Sequence, residues 1–156
     1  MEYRQLGRSG LKVSLHSLGT MNFAGTGFFE KVGSLGLAET TRLVDVALDH
    51  GVNLIDTSNV YSTGRSEEAV GEILKGRSSQ ILVGTKVRFT MGPGPNEVGL
   101  SRFHIIEQCE ASLKRLQRDH IDIYYLHQWD GLPPVEETME ALDTLVKHGK
   151  VRYVAC

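Results

Sequence analysis

Beginning at Leu18, short runs of aliphatic and β-branched residues alternate with longer stretches whose apolar residues recur at helical spacing. That alternation restricts the chain to a parallel sheet wrapped by helices, because parallel neighbours need a crossover between them and strands covered on both faces read as near-continuous apolar runs. The predicted strands are Ser17 to Thr20, Asn53 to Asp56, Ile81 to Thr85, Ile121 to His127 and Val151 to Ala155. All five are short, mostly apolar, and expected to be buried on both faces.

Four helices are predicted between them. In the first, Leu43, Ala47 and His50 share a face beside Val44 and Leu48, and Gly51 is placed to stop it. The second opens on Ser66 as its cap, sets Glu67 and Glu68 at its positive end and turns Val70, Ile73 and Leu74 to the core. Ile105, Cys109, Leu113 and Leu116 mark the third. The fourth follows Pro133-Pro134, carries Val135, Met139, Leu142 and Val146 at helical spacing, and ends at Lys147, His148 and Gly149. Ahead of all this, Tyr3 to Leu6 and Lys12 to Ser14 flank Gly7-Arg8-Ser9-Gly10, the pattern of a hairpin acting as a lid or plug.

A chain of 156 residues with 40% hydrophobic content can bury one core, so residues 1–156 are expected to form a single domain. Seventeen basic against nineteen acidic residues, with no basic block, argues against nucleic acid or an anionic membrane as partner and for a small molecule. No run approaches the roughly 20 apolar residues that span a bilayer, and Met1-Glu2-Tyr3-Arg4-Gln5 lacks the build of a signal peptide, so a cytoplasmic protein is expected. Cys109 and Cys156 lack metal-site spacing and read as buried free thiols.

The phosphate-binding P-loop, the His-Glu-x-x-His helix and the Gly-x-Ser-x-Gly turn are all absent from the sequence. Gly25-Thr26-Gly27-Phe28-Phe29-Glu30 approaches a dinucleotide fingerprint but lacks the last glycine and does not lead from strand into helix. His120, His127 and Asp130 have the right types for a metal site. His120 stands at the opposite end of its strand from His127, however, and no metal is expected.

Two segments are loops by composition, Asn22 to Gly36 and Arg88 to Leu100, and both follow the carboxyl end of a predicted strand, where α/β folds assemble their sites. At the same rim lie Asp56 and Tyr61 after the second strand, Lys86 after the third and His127 closing the fourth. Such positions converge in space. Bringing a phenol from its reference pKa near 10 to about 7 takes roughly 4 kcal/mol, and an ammonium about 4 Å away at an effective dielectric near 20 supplies roughly that much. Lys86 beside Tyr61 is therefore expected to tune it, and Asp56 to keep Lys86 charged and fixed while offsetting part of its pull. His127 is expected to hold a substrate carbonyl oxygen or to help relay the proton.

Taken singly, each residue also has a plain structural reading. Asp56 before Thr57 and Ser58 caps a turn, Tyr61 is a half-buried aromatic, Lys86 snorkels from a strand end, and His127 is a satisfied core histidine. Asp122 reads as structural. Trp129, just past the strand, reads as a wall of the pocket, with packing or an interface as the alternative.

With these residues in hand, the chain resembles the aldo-keto reductase superfamily, and the match runs through nearly its whole length. The stretch Tyr3-Arg4-Gln5-Leu6-Gly7-Arg8-Ser9-Gly10-Leu11-Lys12-Val13-Ser14 with Leu18-Gly19-Thr20-Met21 is similar to the hairpin and first strand of bacterial members. Gly51 to Ser62, reading GVNLIDTSNVYS, is similar to the family signature. Gly84-Thr85-Lys86-Val87, Ile121 to His127 and Gly149 to Val154 extend it. The resemblance implies a (β/α)8 TIM barrel and reduction of an aldehyde or ketone with hydride from NADPH. It also implies Asp56, Tyr61, Lys86 and His127 as the catalytic tetrad, and leaves Gly19, Thr20, Met21 and Asp56 as the cofactor contacts near the nicotinamide.

A TIM barrel needs eight strands and typically about 250 residues, whereas about five strands and four helices with an N-terminal hairpin are predicted here. The chain is therefore expected to be a truncated barrel, inactive alone for want of an adequate cofactor site. Unpaired sheet edges predict poor solubility or self-association. Two other readings stand beside the enzyme. One is a cofactor-binding regulatory subunit of reductase-like fold; the other is a flavodoxin-like open sheet with its ligand at a switch in strand order.

Overall fold

In a computed structural model describing residues 1–33 and 35–156, five parallel strands lie side by side in the order in which the chain makes them. They are β3 (Leu18–Gly19), β4 (Leu54–Asp56), β5 (Leu82–Val87), β6 (Ile121–Leu126) and β7 (Val151–Ala155). β1 (Tyr3–Gln5) and β2 (Lys12–Ser14) form the antiparallel hairpin ahead of them, with Tyr3 opposite Ser14. The connections are α1 (Leu37–Asp49), α2 (Arg65–Leu74), α3 (Arg102–Leu116) and α4 (Val135–Lys147).

Sequential strand order decides between the two sheet folds. A flavodoxin-like sheet reverses direction after its first strands and binds ligand at that reversal; here every parallel strand pairs with its neighbour in sequence and the order never reverses. That is the wall of a barrel.

Each face of the wall has its own apolar layer. On the outside, Ile55, Val83, Val87, Ile121 and Tyr124 pack with Val44, Val70, Ile105, Leu116 and Leu142 of the helices. On the inside, Leu54, Leu82 and Ile123 meet Val13, with Leu6 and Leu11 packed beside them. The hairpin is thus a plug at the end where the strands start. It is anchored by Asn53, whose Oδ1 accepts the Ser14 N–H at 2.7 Å while Nδ2 donates to the Lys12 carbonyl at 3.2 Å.

Several sequence expectations shift. The outer strands are not buried on both faces: Arg152 and Val154 of β7 and Gly19 of β3 are exposed, since among the described residues β3 pairs only with β4 and β7 only with β6. In α1 the buried residues are Thr40 and Val44, while Leu43 and His50 face out. In α4 the core side is Thr138, Ala141, Leu142 and Leu145, and Val135, Met139 and Val146 are exposed. Thr138 explains that rotation, because its hydroxyl donates to the Leu100 carbonyl at 2.9 Å and so can be buried without an orphaned polar atom. Ser66 is no cap: α2 starts at Arg65, and the Ser66 hydroxyl points inward to the Thr20 carbonyl at 2.8 Å. Cys109 is buried, but Cys156 is exposed at the end of β7. The loop Asn22 to Gly36 holds a short 3-10 turn at Gly27–Phe29 and includes Ser34, which lies outside the described residues.

Candidate active site

Strand periodicity puts two of the four candidate residues, Asp56 and Lys86, on the inner face. Along β4, Leu54 and Asp56 point inward and Ile55 outward; along β5, Leu82, Gly84 and Lys86 point inward and Val83, Thr85 and Val87 outward. Register aligns Asp56 with Gly84 and Lys86 with Tyr125. Gly84 is needed there, because a Cβ would lie 2.8 Å from Tyr125 Cε2. Without one, the Tyr125 ring lies across the sheet, with the Lys86 ammonium 5.8 Å from its centre.

Lys86 Nζ is the hub. It donates to Asp56 Oδ2 at 2.6 Å, to the Thr57 carbonyl at 2.9 Å and to the Tyr61 hydroxyl at 3.3 Å. An ammonium has three hydrogens, and here each has one acceptor. A phenol oxygen that accepts from Lys86 keeps its own proton free to point elsewhere.

His127 lies just past β6, its N–H donating to the Val87 carbonyl at 3.0 Å. Nδ1 and the Ser58 hydroxyl are 3.1 Å apart, and the ring stands edge-on to Tyr61 with centroids 5.9 Å apart. Burial lowers the imidazole pKa below its ordinary value, and the Lys86 charge lowers it further, while Asp56 opposes and Arg88 adds to the drop. The ring is held neutral, so one nitrogen donates and the other accepts. When Ser58 donates to Nδ1, Nε2 carries the proton and can donate it to a bound oxygen.

Tyr61 arrives from a strained turn. It begins the short 3-10 segment Tyr61–Gly64, in which Ser62 (φ 50°) and Thr63 (φ 54°) are both left-handed. Two such residues in succession, one β-branched, persist only where the surroundings over-determine them. Thr26 Oγ1 donates to the Ser62 carbonyl at 3.1 Å and Ser62 Oγ to the Phe23 carbonyl at 3.2 Å, so the long loop after β3 holds the turn from one side. Phe29 of that loop packs edge-on against Tyr61 at 5.7 Å, and Phe89 against His127 at 4.8 Å.

The remaining candidates are dispersed around this group. Gly19 and Met21 are exposed at the end of β3. Thr20 between them is fully buried, its hydroxyl engaged with the Asp56 carbonyl at 3.2 Å and with Ser66 Oγ at 2.8 Å. Trp129 is half-exposed with its indole nitrogen toward Gly131; the rings packed on the tetrad are Phe29, Phe89 and Tyr125. His120 sits at the opposite rim with Asp119 and Asp122. Sequence reasoning did not single out Ser58, Phe29 or Phe89. Ser58, two residues past Asp56 at a strand end, carried the clearest signal, and Phe29 lay inside the glycine-containing stretch set aside as a weak fingerprint.

Comparison with known proteins places this geometry. The Aldo/keto reductase family model matches residues 17–156. The solved structure of aldo-keto reductase AKR11C1 from Bacillus halodurans (holo form) superposes with a TM-score of 0.84 at 36% identity, over 99% of this chain and 49% of that one. The chain is 41% identical to a "Probable voltage-gated potassium channel subunit beta" of Arabidopsis thaliana, over 98% of this chain and 45% of the relative. It is equally 41% identical to the "Uncharacterized oxidoreductase YrpG" of Bacillus subtilis (strain 168), over 99% of this chain and 48% of the relative. A helix-wrapped parallel wall with sequential strands is part of a (β/α)8 barrel of oxidoreductase type. The chain belongs to the aldo/keto reductase family, and it spans about half the length of the relatives it matches.

Proposed function

We propose that this site serves the NADPH-dependent reduction of an aldehyde or ketone to an alcohol, with Tyr61 as proton donor. The observation that carries the reading is the single ammonium of Lys86 bonded at once to the Asp56 carboxylate at 2.6 Å and the Tyr61 hydroxyl at 3.3 Å. As the Tyr61 proton leaves, the oxygen left behind is an anion that Lys86 already faces, so stabilisation grows along the reaction coordinate and needs no rearrangement. Asp56 holds the ammonium in place. His127, neutral and edge-on to Tyr61, donates from Nε2 to the carbonyl oxygen and fixes it beside the phenol.

The cofactor position is read from the residues around Asp56. At Gly19 an added Cβ would meet nothing within 4 Å, Met21 is exposed, and the Asp56 side chain remains partly open to solvent. Those features fit the nicotinamide end of NADP(H), with Gly19, Met21 and Asp56 against it and Thr20 supporting from beneath through Asp56 and Ser66. When bound, the reduced cofactor supplies the hydride.

The test is carbonyl-dependent NADPH oxidation by the protein carrying this chain, beside Tyr61→Phe. Turnover that falls about 100-fold or more supports the reading; equal turnover in both overturns it. A second reading has its own support in the 41% identity to a probable potassium channel β subunit: a reductase-like subunit that binds the cofactor and a protein partner. NADPH binding without turnover in either variant favours that one. For the 156-residue polypeptide by itself, we propose self-association through the open edges of β3 and β7. A monomer by sedimentation that melts cooperatively and binds NADPH at micromolar concentration contradicts it.

A further inference from the structure

The carboxylate of Glu67 is fully buried, yet it lies outside the tetrad, on the helix side of the wall. Its Oε1 accepts the Thr85 hydroxyl at 2.5 Å and its Oε2 the Arg115 Nε at 2.6 Å. Thr85 is the residue before Lys86 on β5, and alternation along the strand turns the two to opposite faces. One carboxylate is therefore tied to the strand that presents the ammonium. The backbone of the same residue leads back to the segment that carries the phenol. Glu67 stands in the first turn of α2, which follows the strained segment Tyr61–Gly64 directly in sequence, across the left-handed Gly64.

Arg115 closes the linkage. Its side chain runs beneath the end of that segment, where a Cβ on Gly64 would come within 2.7 Å of Arg115 Cδ and 2.9 Å of Nε. Gly64 also has φ +91°, so two independent requirements exclude a side chain there. Arg115 is held in turn by Ser112 Oγ at 3.2 Å. The neighbour of Glu67 works the same way: the Ser66 hydroxyl meets the Thr20 carbonyl at 2.8 Å after β3 and Thr57 Oγ1 at 3.1 Å after β4. Two adjacent residues of α2 thus pin the segment carrying Tyr61 to three successive strand ends.

A buried ion pair is weak evidence for stability, because desolvation offsets most of the attraction. It does fix geometry. A left-handed Ser-Thr pair relaxes unless held, and the loop after β3 holds it from one side only. We propose that Glu67 is a positioning residue for Tyr61: through Thr85 and Arg115 it sets the distance between the phenol on the segment before α2 and the ammonium on β5. This rests on the reductase reading above only for its effect on turnover, since the geometry has its own readout.

The experiment compares Glu67→Ala, Glu67→Gln and Thr85→Val in the protein carrying this chain, with kcat and KM normalised to folded protein. It also follows the nuclear Overhauser contact between the Tyr61 and His127 rings. Glu67→Ala is expected to lose that contact and to lower kcat on the order of 10-fold or more, with KM changed less than about 2-fold. Thr85→Val, which cuts the tie to β5 alone, is expected to act in the same direction by about 3-fold. Glu67→Gln, able to accept from Arg115 and donate to Thr85, restores most of both readouts. Should Glu67→Ala fail to fold, Thr85→Val and Glu67→Gln decide. The proposal is overturned if the folded variants keep the ring contact and kcat per folded molecule while only their melting temperature drops. If the wild type shows no turnover, the reductase reading fails, and the ring contact alone still decides for or against Glu67.

Discussion

The two rims of the sheet carry almost the same chemical parts and put them to opposite use. At the amino rim, Asp122 on β6 is buried, and its Oδ2 accepts both the Val83 N–H at 2.9 Å and the Arg118 guanidinium at 3.1 Å. Its Oδ1 faces His120 Nε2 at 3.4 Å. Acid, base and imidazole satisfy one another, and the product is a staple between β5 and β6. At the carboxyl rim, Asp56 and Lys86 pair, yet capacity is left over: the phenol proton of Tyr61 and the imidazole Nε2 of His127 have no bond to described residues. All four buried side-chain atoms without a partner among the described residues, on Asn59, Arg88, His104 and Asp130, belong to segments at that rim too. A complete network stabilises; an incomplete one is available for a ligand.

Substitutions separate these uses, and the largest effect belongs to Tyr61→Phe. Removing one proton donor is expected to lower turnover by about 10²- to 10⁴-fold while leaving stability within about 1 kcal/mol. Turnover is the measurement at issue, with a thermal melt beside it. Next comes Asp122→Ala at the other rim, where the loss is in stability. It orphans the buried Val83 N–H and leaves Arg118 without its carboxylate, with only the Ile81 carbonyl still accepting from it, which costs about 3–5 kcal/mol. Denaturant unfolding with an unchanged m-value checks it. If Asp122→Ala instead abolishes turnover at unchanged stability, the division between the rims is wrong.

This division also explains what could be read from the residues alone. Asp56, Lys86 and His127 were legible because a strand end aims its last inward residue at the mouth whatever the loops do, and Tyr61 because the signature around it is specific. The linkage behind the site was not legible. Glu67 and Ser66 look from the sequence like an ordinary helix start, an acid at the positive end and a hydroxyl cap, because the pattern of one helix says nothing about Thr85 and Arg115 approaching from other elements. In α4 the same limit appears as a rotation. Val135, Met139, Leu142 and Val146 make an apolar stripe, but the buried side includes Thr138 and Ala141, whose burial rests on the Leu100 carbonyl and not on hydropathy. Strand count, order of elements and the end-on residues follow from periodicity; which helix face is covered, and by what, follows from tertiary contacts.

Strain gives a smaller effect at the carboxyl rim. Thr63 at φ 54° is a β-branched residue in the left-handed region, a conformation that costs of order 1 kcal/mol and that glycine adopts freely. Thr63→Gly is expected to raise stability by roughly a few tenths of a kcal/mol, since the extra freedom that glycine gives the unfolded chain offsets much of the relieved strain. Turnover should fall in the same variant, because a relaxed turn no longer fixes the Tyr61 ring. A denaturant series read beside kcat separates the two; lower stability would show that the turn is comfortable as it is.

The smallest effect is electrical and tests whether His127 senses Lys86 and Asp56 at all. Burial lowers the pKa of this imidazole, Lys86 lowers it further, and Asp56 works against both. Lys86→Met should therefore move the His127 titration up and Asp56→Asn should move it down, opposite signs from two residues bonded to each other. Proton chemical shifts of the ring, followed against pH, give both directions. Stability follows from the same sign. A histidine held below its unfolded value of about 6.5 binds fewer protons when folded, so its contribution is present above that pH and is lost as the pH falls through the folded value. His104, also lowered by burial, adds a loss of the same sign, so His127→Gln is the control that leaves the His104 part in place. Against that control, Lys86→Met should make the acid limb of the stability curve shallower by bringing the folded value of His127 closer to the unfolded one, burial still holding it below. An unmoved titration in both variants would mean that burial alone holds the ring neutral, with Lys86 acting only on the phenol.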